Sequence, residues 1–159
     1  SMSDFNIWVG IFNILAGVST FVTALILILD YIAARRIPMH VQNIYPHDSS
    51  DGTSRYKIIF GQLKTNSYTI IRLDLKSDSG NSCFTEYTTD DYGGAYCVPL
   101  PDKLSESLLI SVPPESIKLE PISHHFEVFG VESSTTLSVV VKNRLSIRES
   151  TRTINLYNI

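Results

Sequence analysis

Between Ile7 and Leu29 the chain carries no charged residue, and a helix over this run is apolar on nearly every side. At about 1.5 Å per residue such a helix reaches ~35 Å, enough to cross a hydrocarbon core about 30 Å thick with a slight tilt. The pattern predicts a transmembrane helix over residues 5–34, with Trp8 and Tyr31 near its ends, at the level that amphipathic rings favour. A buried core helix is the alternative, but so small a protein offers nothing for an all-round apolar helix to bury itself in. A signal peptide would need a cationic leading end and a shorter apolar core. Here the leading end carries only Asp4, and the cations, Arg35 and Arg36, come after the run. The positive-inside preference then gives a single-pass protein of the inner (plasma) membrane. Its very short N-terminus lies outside, a short basic linker spans 35–39, and the C-terminal domain is cytoplasmic.

The helix is not uniformly greasy. Gly10, Asn13, Gly17, Thr20 and Ala24 recur at steps of three and four, while Ile11, Leu15, Val18, Val22, Leu25 and Leu29 occupy the opposite face. Small residues let helices approach closely in lipid and polar ones hydrogen-bond between them; steps of three and four make a left-handed seam. The expected partner is another copy, giving a homo-oligomer with a tetramer among the candidates. Asn13 and the threonines either line a narrow pore or only glue the bundle. Asp30, at the inner edge, has Arg35 and Arg36 as its simplest partners.

After Pro38 the period changes from helical to two. Strands are expected over residues 40–45, 55–63, 68–76, 83–88, 108–112, 117–122, 126–131, 136–142, 145–148 and 153–157, separated by clusters of Gly, Pro, Asp, Asn and Ser. Residues 102–109 have room for one short helical turn. Alternation puts Tyr56, Ile58 and Phe60 on one face, Ile71, Leu73 and Leu75 on another, and Leu137, Val139 and Val141 together. The fold class is therefore a single N-terminal transmembrane α-helix followed by an all-β soluble domain over 40–159, a sandwich or a small barrel.

With 159 residues and a net charge of −3, the chain has one span, one modest domain and no electrostatic reach for a DNA duplex. Cys83 and Cys97 can lie close across a sheet, and in a cytoplasmic domain both are expected reduced. Nothing matches a Walker loop, a dinucleotide fingerprint, a metalloprotease helix or a nucleophile elbow. His124 and His125 are adjacent on a strand and so point to opposite faces, which keeps them from sharing one metal; His40 and His47 have no supporting spacing. The reading is a non-enzyme without catalytic residues, metal or cofactor.

Charge geography remains. Asp90, Asp91, Asp102 and Glu106 make the middle of the domain acidic, whereas Lys142, Arg144, Arg148 and Arg152 gather near the end against Glu149. Such a cluster is a candidate anion site, since arginines meet phosphates in bidentate fashion. Arg55, Lys57 and Arg72 are candidates to join it, and Tyr56, Tyr68 and Tyr157 offer rings on which bases can stack. A solvated polar face, or cations meeting an anionic leaflet, are the competing readings.

An N-terminal helical anchor, a compact domain and basic terminal strands together resemble the small membrane-anchored effectors of type III CRISPR antiviral systems. The resemblance implies that the domain binds a cyclic oligonucleotide second messenger, a cyclic oligoadenylate, and rearranges an oligomeric membrane part so as to perturb or permeabilise the membrane. The chain departs from that group's common ligand-binding domains in lacking an alternating strand–helix pattern. Its pocket would be of another type, shared between subunits. The alternatives are an anchored protein-interaction module, an accessory or immunity subunit that pairs its helix with another protein's span, and a surface module outside the cytoplasm.

Overall fold

A computed structural model of the protein describes residues 2–45, 52–144 and 148–159. It is one N-terminal apolar helix followed by an all-β domain of two antiparallel sheets. Helix α1 (Met2–Arg36) is long and apolar enough over Met2–Leu29 to cross a membrane, and none of that stretch is buried against the rest of the chain. The helix continues through Arg35 and Arg36, so the expected basic linker shrinks to Ile37 and Pro38.

Nine strands follow among the described residues: β1 (Met39–Asn43), β2 (Thr53–Phe60), β3 (Tyr68–Lys76), β4 (Cys83–Thr89), β5 (Ala95–Pro99), β6 (Ser105–Val112), β7 (Ile122–Phe129), β8 (Thr136–Asn143) and β9 (Ser150–Asn155). They form a five-stranded sheet in the order β1-β2-β7-β4-β5 and a four-stranded sheet in the order β6-β3-β8-β9. The inner faces meet over Tyr56, Ile58, Phe60, Ile70, Leu73, Val128, Leu137 and Val139, each 0–1% exposed. Each such side chain contributes about 1.5–3 kcal/mol of burial. Tyr56 stacks on Phe126 at 5.4 Å between ring centroids, and Phe84 meets Phe126 edge-on at 6.3 Å.

Several expected strands are redrawn. The run expected at 117–122 is not a strand except for Ile122, and β7 runs from there through Phe129, because β2 pairs along the whole of it, from Thr53 opposite Phe129 to Phe60 opposite Ile122. Strand β5 was hidden by its shortness. It closes a hairpin with β4 through a turn in which the Asp90 carboxylate accepts from the N–H groups of Tyr92 (3.0 Å) and Gly94 (2.6 Å). Residues 105–109 extend β6 instead of making a helical turn, and the strand expected at 145–148 falls mostly on residues outside those described. A register shift between Ile70 and Arg72 turns Ile71 off the core, so Tyr68 and Ile70 join Leu73 and Leu75 there.

The helix and the domain are joined tightly. Ile37 is 2% exposed and packs in the domain's core. The Gly61 N–H donates to the Pro38 carbonyl at 2.6 Å, and a Cβ on Gly61 would stand 2.4 Å from the Pro38 ring. Tyr68, buried, donates its hydroxyl to the Gly61 carbonyl at 2.7 Å. Because Met39 opens β1 opposite Phe60, the end of the sandwich nearest the helix is fixed by register. It carries the segments leaving β2, β6 and β8.

Candidate ligand pocket

The C-terminal cations do not form one cluster. Lys142 lies exposed on the outer face of β8, whereas Arg152 on β9 faces inward, opposite Val139. The Arg152 guanidinium donates from Nη1 to the carbonyl oxygen of Ile37, so it ties the helix end to the domain. Arg144, exposed in the turn after β8, lines a cavity between helix and domain, and Arg148 is exposed in the bend before β9. Arg72 does not join them: on the outer face of β3 it pairs with Asp74 (3.0 Å) and Glu149 (3.3 Å). Arg55 and Lys57 belong to the other sheet. Of the rings expected to stack on bases, Tyr56 and Tyr68 are core residues, and burial pushes the Tyr56 phenol up to about 12. Tyr157 alone of the three is exposed.

On the helix, Asn13, Gly17, Thr20 and Ala24 are exposed and Gly10 is half-exposed; no atom lies within 4 Å of a Cβ built on either glycine. Among the described residues, nothing packs closely on this stripe. The Thr20 hydroxyl bonds back to the Ala16 carbonyl at 2.9 Å and that of Thr23 to the Ser19 carbonyl at 2.9 Å, which satisfies both donors inside their own helix. The Asp30 and Arg35 side chains lie outside the described residues.

A different constellation appears on the outer face of the five-stranded sheet. Arg55 and Glu127 are register partners across β2 and β7. The Arg55 Nε donates to Glu127 Oε1. Strand β4 pairs with β7 only through Cys83 and Phe84, then departs with β5 as a hairpin. That hairpin carries Tyr87 and Cys97, opposite each other in register, to Glu127: the phenol donates to Oε1 and the thiol to Oε2. Glu127 is left 8% exposed although it points away from the core. The Arg55 guanidinium lies 5.0 Å from the Tyr45 ring centroid and 5.7 Å from that of Tyr87, within cation–π range of both. A cavity of about 460 Å³ opens here, lined among others by Ile44, Tyr45, Arg55, Tyr87, His125 and Glu127.

Burial alone would raise the Glu127 pKa, but hydrogen bonds from Cys97, Tyr87 and Arg55, with the Arg55 charge, hold it below the usual carboxylate range. The same carboxylate pushes the Tyr87 phenol up, with burial adding to it, while burial and then Glu127 push the Cys97 thiol up. Glu127 therefore stays ionised while its neighbours keep their protons. Its oxygens are taken up internally, which leaves the guanidinium and the flanking rings to meet a ligand. Lys57 and His125, paired in register on the same outer face, adjoin them.

His124 and His125 do point to opposite faces, His124 inward at 3.6 Å from Glu106 on the other sheet. Cys83 and Cys97 are free thiols, with Cys97 opposite Tyr87 and so about 13 Å further along β4 than Cys83. Compared with known proteins, the chain matches no family model and no curated sequence. Tyr45, Tyr87 and Glu127 were missed as site residues because only the β2–β7 pairing and the folded-over hairpin bring them to Arg55. The sequence signal was an isolated Glu in an apolar strand.

Proposed function

We propose that the chain is a membrane-anchored effector whose β domain binds a cyclic oligonucleotide, a cyclic oligoadenylate in the favoured reading, and transmits that binding to its membrane helix. The observation that carries the reading is the Arg55 guanidinium set between the Tyr45 and Tyr87 rings beside an open cavity of about 460 Å³. Exposed rings give a base its π-face and arginine gives its phosphate a bidentate partner. Lys57 adds a second cation. The helix–domain joint supports transmission, because Ile37, Pro38, Gly61 and Arg152 leave little slack for a domain to turn without its helix. In a cytoplasmic, oligomeric arrangement, one cyclic ligand would meet equivalent sites around an axis and favour one packing of the helices.

The test is calorimetric titration of the full chain in nanodiscs with a panel of cyclic mono- and oligonucleotides. Binding of one member, lost in Arg55→Ala and kept in Arg144→Glu, supports this pocket. Binding lost only in Arg144→Glu moves the ligand to the helix-proximal end of the sandwich. No binding by any member, with the chain folded, overturns the reading.

A protein-docking module is the second reading. It is favoured by the β4–β5 hairpin, whose Tyr92 is 98% exposed and whose Tyr96 is 50% exposed beside the acidic Asp90 and Asp91. In that case hairpin variants, not Arg55→Ala, would abolish function.

A further inference from the structure

We propose that the cavity between the end of helix α1 and the β domain is a binding site for an anionic phospholipid, taking its acyl chain on the helix and its headgroup phosphate on the domain. The cavity, of about 740 Å³, has two chemically different ends. One wall is Ile26, Leu29 and Ile32, a single apolar helix face at steps of three, 37–55% exposed. The other end carries Arg36, Lys64 and Arg144, all exposed, with Glu115 the one carboxylate among the described lining residues.

The position along the membrane normal selects the ligand. The stretch able to cross the bilayer ends at Leu29, and Ile26 to Arg36 covers about 15 Å of helix, from the edge of the hydrocarbon into the headgroup layer. A soluble nucleotide or phosphate would have to lay polar groups against Ile26 and Leu29. A phospholipid carries both halves in the right order, and basic pockets beside membrane helices hold anionic headgroups. The helix C-terminus repels an anion, but Arg152 meets the carbonyl of Ile37 just beyond that end, and three cations face the site.

Two further observations point the same way. Asn143 lines the cavity, and its side-chain oxygen is buried without a hydrogen-bond partner; turned about its last bond, the amide would place donors where that oxygen stands. By contrast, the Gln62 side-chain Nε2, also in the lining, donates to the carbonyls of Pro113, Pro114 and Ile117, at 2.9–3.3 Å. Those bonds anchor the segment after β6, where Ile117 (50% exposed) and Leu119 (52% exposed) flank Lys118 at the same helix-proximal end. Two exposed aliphatic side chains around a lysine suit a leaflet surface.

The experiment is native mass spectrometry of the full chain released from nanodiscs of mixed phosphatidylglycerol and phosphatidylcholine, with no nucleotide present. The expected result is retention of phosphatidylglycerol over phosphatidylcholine, reduced about tenfold in the Lys64→Glu, Arg144→Glu double variant and unchanged in Lys103→Glu, far from the cavity. Equal retention of both lipids overturns the proposal, since it describes only an annulus. So does displacement of phosphatidylglycerol by inorganic phosphate, which would mark a plain phosphate site. Cross-linking from a cysteine introduced at Leu29 to the same position of a second copy, with no lipid retained, would show a neighbouring helix in the cavity instead. The wild-type lipid comparison needs no variant, so misfolding of the double variant leaves the test standing.

Discussion

Arg152, on the edge strand β9, donates from Nη1 to the carbonyl oxygen of Ile37, the first residue beyond the apolar helix. The bond joins the last strand to the point where the chain enters the domain, and Ile37 itself is buried beside it. A cation at a helix C-terminus also meets the negative end of the helix dipole.

Arg152→Ala should therefore act on the joint rather than on a ligand. A charge-assisted hydrogen bond and a capped carbonyl are lost, at a cost of about 1–3 kcal/mol. Thermal denaturation followed by near-ultraviolet circular dichroism should show a Tm lower by a few degrees. Nucleotide affinity measured by calorimetry should stay unchanged. A variant with wild-type Tm but abolished binding would return Arg152 to the ligand site.

The Glu127 cluster predicts a pH dependence with a definite sign. The folded carboxylate pKa lies below its usual 4.5, so its contribution is complete above about pH 4.5 and is lost as pH falls through the folded value. Tyr87 and Cys97 are shifted upward from 10.0 and 9.0, so what they contribute is present below those values and is lost as pH rises through the folded ones. Urea denaturation from pH 3 to 10 should give a plateau that declines at both ends. Glu127→Gln should flatten the acid decline and lower the plateau, because an amide cannot accept from all three donors. An unchanged acid limb would remove Glu127 from this account.

The Arg55 pocket makes a separate demand on its rings. If bases stack at Tyr45 and Tyr87, each Tyr→Ala change should weaken nucleotide binding by about 1–3 kcal/mol. Tyr45→Phe should cost little, since the ring remains and Tyr45 is exposed. Tyr87→Phe should cost stability as well, because Glu127 loses a donor. Binding that survives both alanine variants would rule the rings out as the platform.

Much of the architecture was legible because period reports burial. The uncharged run gave the helix, and the alternation of Tyr56, Ile58 and Phe60 and of Leu137, Val139 and Val141 gave core faces that stand in the sandwich. Period two reports the face and not the neighbour, however. It could not say that Arg55 stands opposite Glu127 across strands 72 positions apart, or that Arg55 and Arg72 lie on different sheets. A bulge shifts the phase within β3, so Ile71 was misplaced. The C-terminal cations looked like one patch because sequence proximity was read as spatial proximity, although alternation and a turn send Lys142, Arg144 and Arg152 three ways.

Gly130 offers a sharp test of how the two loops at the far end of the sandwich are held. Its φ is +72°, and an added Cβ would stand 2.7 Å from the Asn81 carbonyl oxygen, a backbone atom with little room to yield. The same approach lets the Ser82 hydroxyl donate to the Gly130 carbonyl at 2.6 Å and lie 2.7 Å from the buried Thr135 hydroxyl. Glu132 fastens the facing loop by accepting from the Ser79 N–H (3.1 Å) and hydroxyl (2.7 Å), which holds its pKa below the usual range. Gly130→Ala should cost roughly 2 kcal/mol from the left-handed backbone and the clash together. Gly93, at φ +79° in the hairpin turn, has open space around it. Gly93→Asn should cost well under half as much, since asparagine tolerates that backbone region. Equilibrium urea denaturation of the two variants side by side separates backbone strain from close packing. Equal losses would mean that the Asn81 contact relaxes freely and that strain alone sets the cost at both turns.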